Sequence, residues 1–498
     1  MNLMKSFRIS YILFIAFFCH ACTTVHKTEY VMPGWPEPLS LSETQINFPP
    51  EGGTKTIMVA SRYGQCTLDG VPEWLDYELD STKLVLETSR NYSEELLSAT
   101  IRISATDGES SAEDTLRVIQ FNDGYEDLSS SGTSNCYIVS PGGGSYRFIA
   151  TVKGSGNEVS DGTGGSSGLG VYISSYGVSI GNACSAQLLW ETVPDGDLTS
   201  SHDVIAGKPE FCDGYIYFRT GNHAGNALIA VCDASGEILW SWHIWSPETE
   251  PGTSEYNGYT WLNRNLGASN NEPGDIGNRG LLYQWGRKDP FIPSPAPYGE
   301  NYGGASDRQN NSIGDGTLAQ DFISYNGLPY DEAPGNIPYS VRHPATYINF
   351  AGYQSHDWYA YSYEDNVAFQ SFLWGDPASS EYSKSIFDPC PPGYVVAPDG
   401  AFAKGDAGTL QGWKADNYGY YWESGNGDYF PMPGYLSGTM SDSQGPLVGC
   451  GAIGAYWLST PSSDSSGSYF VQLNTAQAVQ LRSYKVYAFS IRCVKEGA

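Results

Sequence analysis

The stretch Ala99-Thr-Ile-Arg-Ile-Ser104 alternates polar and apolar side chains, and Thr115-Leu-Arg-Val-Ile-Gln120 repeats the pattern. A period of two places the apolar side chains of a strand on one face. Similar short runs, separated by Gly, Asn and Asp, continue the pattern back to Ile46. Short alternating runs with such breaks are typical of a β-sandwich, which we predict for residues 44–121.

The composition of the whole chain indicates a mainly β, multidomain protein. At roughly 150 residues per domain, 498 residues correspond to three domains or more. The 58 Gly, 29 Pro and 36 Tyr favour short strands and turns over long helices. Lys and Arg total 26 against 55 Asp and Glu, and the net charge of −29 would repel a phosphate backbone. Nucleic acid is therefore excluded as a partner.

The N-terminus has the pattern of an export signal. Lys5 and Arg8 precede an apolar run over residues 11–18, which is too short to span a bilayer but fits the core of a signal peptide. The run ends near Cys22, in a setting that resembles the lipidation site of bacterial lipoproteins, although Cys19 stands where Leu is usual. The resemblance implies a lipid on Cys22 and attachment to the outer membrane at the cell surface. Ordinary secretion is the alternative.

Residues 44–121 also resemble the BACON domain, an immunoglobulin-like module of exported Bacteroidetes proteins. The matching motifs are Glu51-Gly-Gly53, Trp74-Leu75, Asn91, Ser98-Ala-Thr-Ile101 and Gln120. The resemblance implies an immunoglobulin-like sandwich that either binds carbohydrate or acts as a spacer. Because a core accounts for most of its aromatic residues, we favour the spacer.

A second β-rich module is predicted over residues 134–247, and it resembles a module that recurs in Bacteroidetes surface lipoproteins. In the run Glu237-Ile-Leu-Trp-Ser-Trp-His-Ile-Trp245, alternation places Trp240 and Trp242 on one face beside two Ile residues. That composition is typical of a core. His243 and Trp245 fall on the opposite face, and Trp245 is the better candidate there for binding a ligand.

Residues 252–498 resemble the major paralogous domain named from Fibrobacter succinogenes. The matching motifs are Asn265-Leu-Gly267, Tyr283-Gln-Trp-Gly-Arg287, Cys390-Pro-Pro-Gly393, Tyr456-Trp-Leu-Ser-Thr460 and Arg492-Cys-Val494. Tyr394-Val-Val-Ala-Pro398 lacks the Arg that the family usually carries there, so no role of that Arg transfers. The order of the motifs also resembles a C-type-lectin-like fold, with long loops on a small sheet.

The predicted organisation therefore has six parts. They are a signal peptide (1–21), a lipidated tether (22–43), the sandwich (44–121), a linker (122–133), the second module (134–247) and the C-terminal domain (252–498).

The chain has 10 Cys without a CxxC pair, so neither a zinc ribbon nor a redox motif is supported. Export and the family motifs favour a disulfide between Cys390 and Cys493. In the chain-entropy treatment, closing a loop of about 100 residues is worth about 4–5 kcal/mol. Two free buried thiols are the alternative, and Cys450 could compete for either partner.

Candidate ligand contacts lie in Asp357-Trp-Tyr-Ala-Tyr-Ser-Tyr363 and in the motif around Arg287. Because alternation places Trp358 opposite the tyrosines and only one side can be core, one of the two should reach solvent near Arg287 and Asp289. The candidates are Trp358, Tyr359, Tyr361, Tyr363, Arg287 and Asp289. Arg287, Lys288 and Asp289 have a structural alternative, a buried ion pair that fixes the loop. Residues 413–422 have a similar aromatic composition.

No motif predicts an enzyme or a cofactor. The sequence has no HExxH, GxSxG, Walker or EF-hand pattern. Glu272-Pro-Gly274 differs at its third position from the Glu-Pro-Asn of lectin-like calcium sites, so calcium is not supported. We therefore expect a non-catalytic adhesion protein that binds a glycan or a host or matrix ligand. An accessory or tip subunit of a fimbria-like assembly, with surface proteins as partners, is one alternative, and a cryptic glycan hydrolase is another.

Overall fold

The computed structural model has a mainly β fold built from several separate sheets. It describes residues 38–157, 177–194, 204–293, 298, 321–324, 336–349, 358, 373–375, 384–422, 428–437, 447–462 and 467–497. The predicted signal peptide, Cys22, Tyr359, Tyr361 and Tyr363 lie outside these residues. In the described part of the chain, no helix has the length and apolar character needed to cross a bilayer.

The first sandwich consists of two four-stranded sheets. Its strands are β1 (Leu39–Leu41), β2 (Gln45–Phe48), β3 (Gly53–Ser61), β4 (Cys66–Asp69), β5 (Asp76–Leu79), β6 (Lys83–Thr88), β7 (Leu97–Thr106) and β8 (Ser111–Gln120). The sheet orders are β1-β3-β6-β5 and β2-β8-β7-β4, and only the β2–β8 pair is parallel.

The alternating apolar residues form the core of this sandwich, as predicted. In β7, Ile101 and Ile103 are buried and Arg102 between them is exposed. Gly52 has a φ of +80°, and a Cβ there would lie 2.3 Å from the carbonyl oxygen of Thr88, so the turn requires glycine. The predicted tether, however, is too long at its C-terminal end. β1 pairs with β3 and its Leu39 is buried, because this apolar side chain completes the core.

The second module is also built from two four-stranded sheets. Its strands are β9 (Glu126–Asp127), β10 (Cys136–Ile138), β11 (Ser145–Ile149), β12 (Ser185–Thr192), β13 (Glu210–Cys212), β14 (Tyr215–Arg219), β15 (Gly225–Cys232) and β16 (Ile238–Ser246). The orders are β10-β16-β15-β12 and β13-β14-β11-β9. The predicted linker 122–133 thus contains a strand of this module, since β9 pairs with β11 and Asp127 lies 3.8 Å from Arg147.

Among its described residues, the C-terminal region has four further sheets. Its strands are β17 (Thr253–Tyr256), β18 (Tyr259–Leu262), β19 (Leu282–Gln284), β20 (Asp321–Ser324), β21 (Thr346–Asn349), β22 (Tyr394–Val396), β23 (Trp413–Asp416), β24 (Gly419–Trp422), β25 (Tyr429–Pro431), β26 (Tyr435–Leu436), β27 (Leu447–Val448), β28 (Ile453–Pro461), β29 (Gly467–Asn474), β30 (Ala478–Tyr484), β31 (Ala488–Ser490) and β32 (Cys493–Lys495). A helix, α1, spans Asn336–Arg342, and 3-10 turns span Ile276–Asn278 and Asp406–Gly408.

These strands form sheets of different sizes around long loops. One sheet has the order β17-β18-β32-β22, and a larger one runs β27-β26-β31-β28-β29-β30 with β19 on β31. β23-β24-β25 and β20-β21 form the other two sheets. The predicted disulfide between Cys390 and Cys493 is present and ties the loop before β22 to β32.

The second module and the C-terminal region share one hydrophobic core, whose buried side chains come from both parts of the chain, with Cys136 the first and Cys493 the last in sequence. Polar contacts reinforce the junction: Asn135 Nδ2 donates to the carbonyl oxygens of Ile386 (2.7 Å) and Asp388 (2.9 Å). The boundary predicted at residues 247–252 therefore separates two sets of sheets within one core. The first sandwich has its own core and meets the second module through a smaller contact, in which Phe121 stacks on Tyr217 at 3.9 Å.

Candidate functional site

Trp358 does not form an exposed binding surface. Its side chain is 1% exposed, and its indole Nε1 donates to the carbonyl oxygen of Trp285 at 2.8 Å. The ring belongs to the core, because the indole is buried beside Trp285 and its only polar atom forms a hydrogen bond there. Of the two alternatives that alternation left open, the tyrosine row of residues 359–363 lies outside the described residues.

Arg287 and Asp289 are each 2% exposed and cannot contact a ligand in this conformation. Arg287 donates to the carbonyl oxygens of Thr346 (2.6 Å) and Pro344 (3.1 Å) and thereby fixes the loop before β21. Asp289 accepts from Lys288 Nζ at 2.6 Å. The structure therefore agrees with the structural alternative, in which Lys288 and Asp289 form the buried ion pair.

Trp245 and His243 are also buried, so the proposed ligand role of Trp245 is wrong. Trp245 is 0% exposed and its Nε1 donates to the carbonyl oxygen of Ala268 at 2.9 Å. His243 Nε2 lies 2.8 Å from Asn226 Oδ1, and burial lowers the pKa of His243 to about 3. Alternation predicted the two faces of β16 correctly, but the C-terminal region covers the face that was expected to bind.

The aromatic segment 413–422 is the candidate that does reach solvent. It forms a hairpin in which β23 pairs with β24 through a turn at Asn417 and Tyr418. Both turn residues have positive φ, +33° and +66°. Two-residue hairpin turns of this kind favour Asn-Gly, and a bulky residue in the left-handed region costs roughly 1–2 kcal/mol. Tyr418 occupies the position where glycine is preferred.

The inner face of the hairpin is core. Tyr256 stacks on Trp422 with centroids 4.5 Å apart and an angle of 8° between the rings. Trp413 is half-buried and its Nε1 donates to the Tyr256 hydroxyl at 3.1 Å. This packing holds the two strands against the C-terminal sheets and fixes the direction in which the turn projects.

The outer face carries the polar and exposed groups. Lys414 pairs with Tyr421 across the strands, and Asp416 lies further along the same face. Burial raises the pKa of the Tyr421 hydroxyl, and the nearby carboxylates of Asp416 and Glu272 raise it further. We call the set Glu272, Lys414, Asp416, Tyr418 and Tyr421 the hairpin surface.

Tyr418 is exposed but firmly supported. The residue is 39% exposed, and its ring stacks on Tyr298 with centroids 5.2 Å apart and 8° between the ring planes. The guanidinium of Arg279 lies 4.2 Å from the centre of the Tyr298 ring. The Tyr298 hydroxyl donates to Asn278 Oδ1 at 2.7 Å, which fixes this ring. The exposed Tyr418 therefore stacks on a buried ring that Arg279 and Asn278 hold in place.

The turn itself is tied to the neighbouring loop. Asn417 Nδ2 donates to the carbonyl oxygen of Pro273 at 3.1 Å, and the Tyr429 hydroxyl donates to the carbonyl oxygen of Asn417. Gly274 has a φ of +80°, and a Cβ at this position would lie 2.4 Å from Asn417 Nδ2. Glycine is therefore needed where the loop approaches the hairpin. The sequence signal for this site is the turn Asp416-Asn-Tyr-Gly419, with a bulky residue inside it.

Other features of the described residues are less specific. A depression of about 330 Å³ in the second module is lined by Gly143, Arg219, Asn222 and His223 among others. Within the described ranges, no group of three or more His, Cys, Asp or Glu side chains is placed to hold a metal ion.

Comparison with known proteins gives no family. No family model matches the chain, and no curated protein matches it. A protein from Bacteroides thetaiotaomicron solved by NMR aligns at 16% identity over 19% of this chain and 96% of its own, with a TM-score of 0.14. A chimeric titin Z1Z2 aligns at 8% identity over 42% and 96%, with a TM-score of 0.16.

An endo-fucoidan hydrolase of glycoside hydrolase family 107 aligns at 12% identity over 41% of this chain and 28% of that enzyme, with a TM-score of 0.15. Similarity at these TM-scores supports neither a fold assignment nor a function. Function has to be argued from the sequence and from the hairpin surface.

Proposed function

We propose that this chain is a lipid-anchored cell-surface protein that binds a glycan through the hairpin surface without chemically changing it. The observation that carries the proposal is the exposed ring of Tyr418, held in a left-handed backbone conformation on the Tyr298–Arg279 stack. Backbone strain of this kind persists only where the surroundings enforce it, and it is concentrated at functional positions.

The chemistry of the hairpin surface suits a sugar. The Tyr418 ring stacks on Tyr298, and the residue is 39% exposed to solvent. An accessible aromatic face stacks on the apolar face of a pyranose, while nearby polar groups bond to its hydroxyls. Such groups on the hairpin surface are the Asp416 carboxylate, the Tyr421 hydroxyl, and the Glu272 carboxylate from the loop that Asn417 contacts through Pro273. Because the ring is already fixed, little side-chain entropy is lost on binding.

The remaining parts of the chain fit presentation of this surface. The signal-type N-terminus and Cys22 would anchor the chain to the outer membrane. The first sandwich buries its apolar side chains in its own core, which supports a spacer role. Its junction with the second module includes a hydrogen bond from Gln45 Nε2 to Glu210 Oε2 at 2.7 Å. A spacer docked in this way would hold the C-terminal region at a set distance from the membrane.

The test is the variant Tyr418→Gly in the full chain. Glycine favours positive φ, so this variant relieves the strain while removing the ring, and its melting temperature should stay equal or rise. Binding to a neutral oligosaccharide panel on a glycan array should fall at least tenfold. The matched control is Tyr77→Gly, which removes an exposed tyrosine (49%) from the first sandwich and should leave binding unchanged. Wild-type binding by Tyr418→Gly would locate the site elsewhere.

A further inference from the structure

The charges around the Tyr418 ring bear on which sugars can bind, if the proposed function holds. Asp416 lies on the same face of the hairpin as Lys414 and Tyr421, and it is exposed. The loop that carries the exposed Glu272 meets the turn where Asn417 Nδ2 donates to the carbonyl oxygen of Pro273 at 3.1 Å. Lys414 is the cation of the hairpin surface and stands opposite Tyr421 on β23. The surface therefore carries two carboxylates against one ammonium group, on a chain whose net charge is −29.

We infer that the hairpin surface selects neutral sugars and rejects sulfated or carboxylated ones. Carboxylates accept hydrogen bonds from sugar hydroxyls, and such charge-assisted bonds are about twice as strong as neutral ones. A sulfate or uronate group brought to the same position would meet two like charges, which is costly for a group that leaves water. This inference rests on the proposed function and specifies its ligand class.

The stack below Tyr418 supports the same conclusion. Arg279, whose guanidinium lies 4.2 Å from the centre of the Tyr298 ring, is 1% exposed. It therefore cannot reach an anionic group of a sugar stacked on the outer face of Tyr418. The exposed charges of the hairpin surface are the carboxylates of Asp416 and Glu272 and the ammonium group of Lys414.

Long-range electrostatics act in the same direction. At physiological ionic strength the Debye length is about 8 Å, so local carboxylates dominate and distant ones contribute little at the site. During the approach, however, a strongly negative protein slows the encounter with an anionic polymer. Added salt should therefore narrow the difference in affinity between neutral and anionic ligands.

The experiment compares neutral gluco-, manno- and galacto-hexaoses with their chemically sulfated forms, titrated against the full chain by calorimetry. We expect at least one neutral hexaose to bind, and its sulfated form to bind at least tenfold more weakly. In the variant Glu272→Gln/Asp416→Asn, the sulfated form should gain at least fivefold, and the ratio of the two affinities should shrink. The variant Asp76→Asn/Glu78→Gln changes the net charge equally on strand β5, where both side chains are exposed, and should leave the ratio unchanged.

The outcomes separate the two claims. Equal binding of neutral and sulfated hexaoses by the wild type overturns the inference and leaves the proposed function in place. A selectivity that the two double variants change equally also overturns the inference, because net charge alone would then explain it. If none of the sugars binds, the proposed glycan function fails, and the inference fails with it.

Discussion

Strands β7 and β16 both alternate in sequence, yet they end up in different surroundings. In β7, Ile101 and Ile103 are buried while Arg102 faces solvent. In β16, every residue from Trp240 to Ser246 is buried. A strand with one buried face packs only against the facing sheet of its own sandwich. A strand buried on both faces needs another part of the chain to cover its second face.

The covering part is the C-terminal region. Trp242 packs on Phe148 inside the second module, with ring centroids 5.1 Å apart. On the opposite face, Ser241 donates to Asp289 Oδ1 at 2.7 Å and Trp245 bonds to Ala268. The first sandwich is therefore a separate unit, whereas the second module and the C-terminal region form a single one. Three predictions test this difference, beginning with the largest expected effect.

Deleting the first sandwich should leave the rest of the chain folded, whereas deleting the second module as well should unfold it. A chain of residues 121–498 should keep one cooperative thermal transition for the shared unit and its binding to the neutral hexaoses. A chain of residues 252–498 should show no cooperative transition, because Leu262, Leu266 and Trp285 would lose the core that they share with β16. Differential scanning calorimetry and near-UV circular dichroism measure both. A sharp transition in residues 252–498 would contradict the shared core.

The buried ion pair at the junction should matter far more than an exposed one. Lys288 and Asp289 have side chains 1% and 2% exposed, with Nζ and Oδ1 2.6 Å apart, and burial lowers the pKa of Lys288 to about 8. Lys288→Met leaves Asp289 buried without its cation, so we expect a loss of about 3–5 kcal/mol in the free energy of unfolding.

Urea denaturation provides the measurement, and the first sandwich provides the control. Arg90 forms an exposed pair with Asp123, with side chains 38% and 53% exposed, so Arg90→Met should leave stability nearly unchanged. The double variant Lys288→Met/Asp289→Asn should recover part of the loss because no charge remains buried. A small effect of Lys288→Met alone would mean that the junction opens to water.

The smallest effect is a pH dependence from His243. Its pKa is lowered to about 3 by burial, against about 6.5 in an unfolded chain, so acid protonates the unfolded state first. The stability that His243 contributes is thus present above pH 6.5 and is lost as the pH falls towards 3, by about 1.4 kcal/mol per pH unit. Burial also raises the pKa of Asp388 to about 6, which has the opposite sign, so the wild type must be compared with His243→Gln at each pH.

Denaturation curves between pH 4.5 and 7.5 measure this difference. His243→Gln should lack the contribution, so the gap between variant and wild type should change steadily below pH 6.5. Residues 44–121 contain no His, so the stability of the first sandwich should show no comparable pH dependence. A constant gap across this pH range would mean that His243 is protonated equally in both states.

The sequence by itself determined the local structure. Alternation predicted the strands of the first sandwich and both faces of β16, because a period of two is a property of neighbouring residues. The glycine turn at Gly52 is likewise local, because it depends on the backbone preference of a single position. The disulfide between Cys390 and Cys493 was expected from a family resemblance, and alternation alone could not have chosen among the cysteines.

Only the tertiary structure decided which faces meet solvent. Trp245 and Trp358 are covered by Ala268 and Trp285, residues that lie 23 and 73 positions away along the chain, and no periodicity encodes such a partner. Tyr418 is exposed for the complementary reason, because Tyr298 and Arg279 support it from below without enclosing it. Burial depends on contacts between distant segments, whereas alternation reports only on the residues beside each other in one strand.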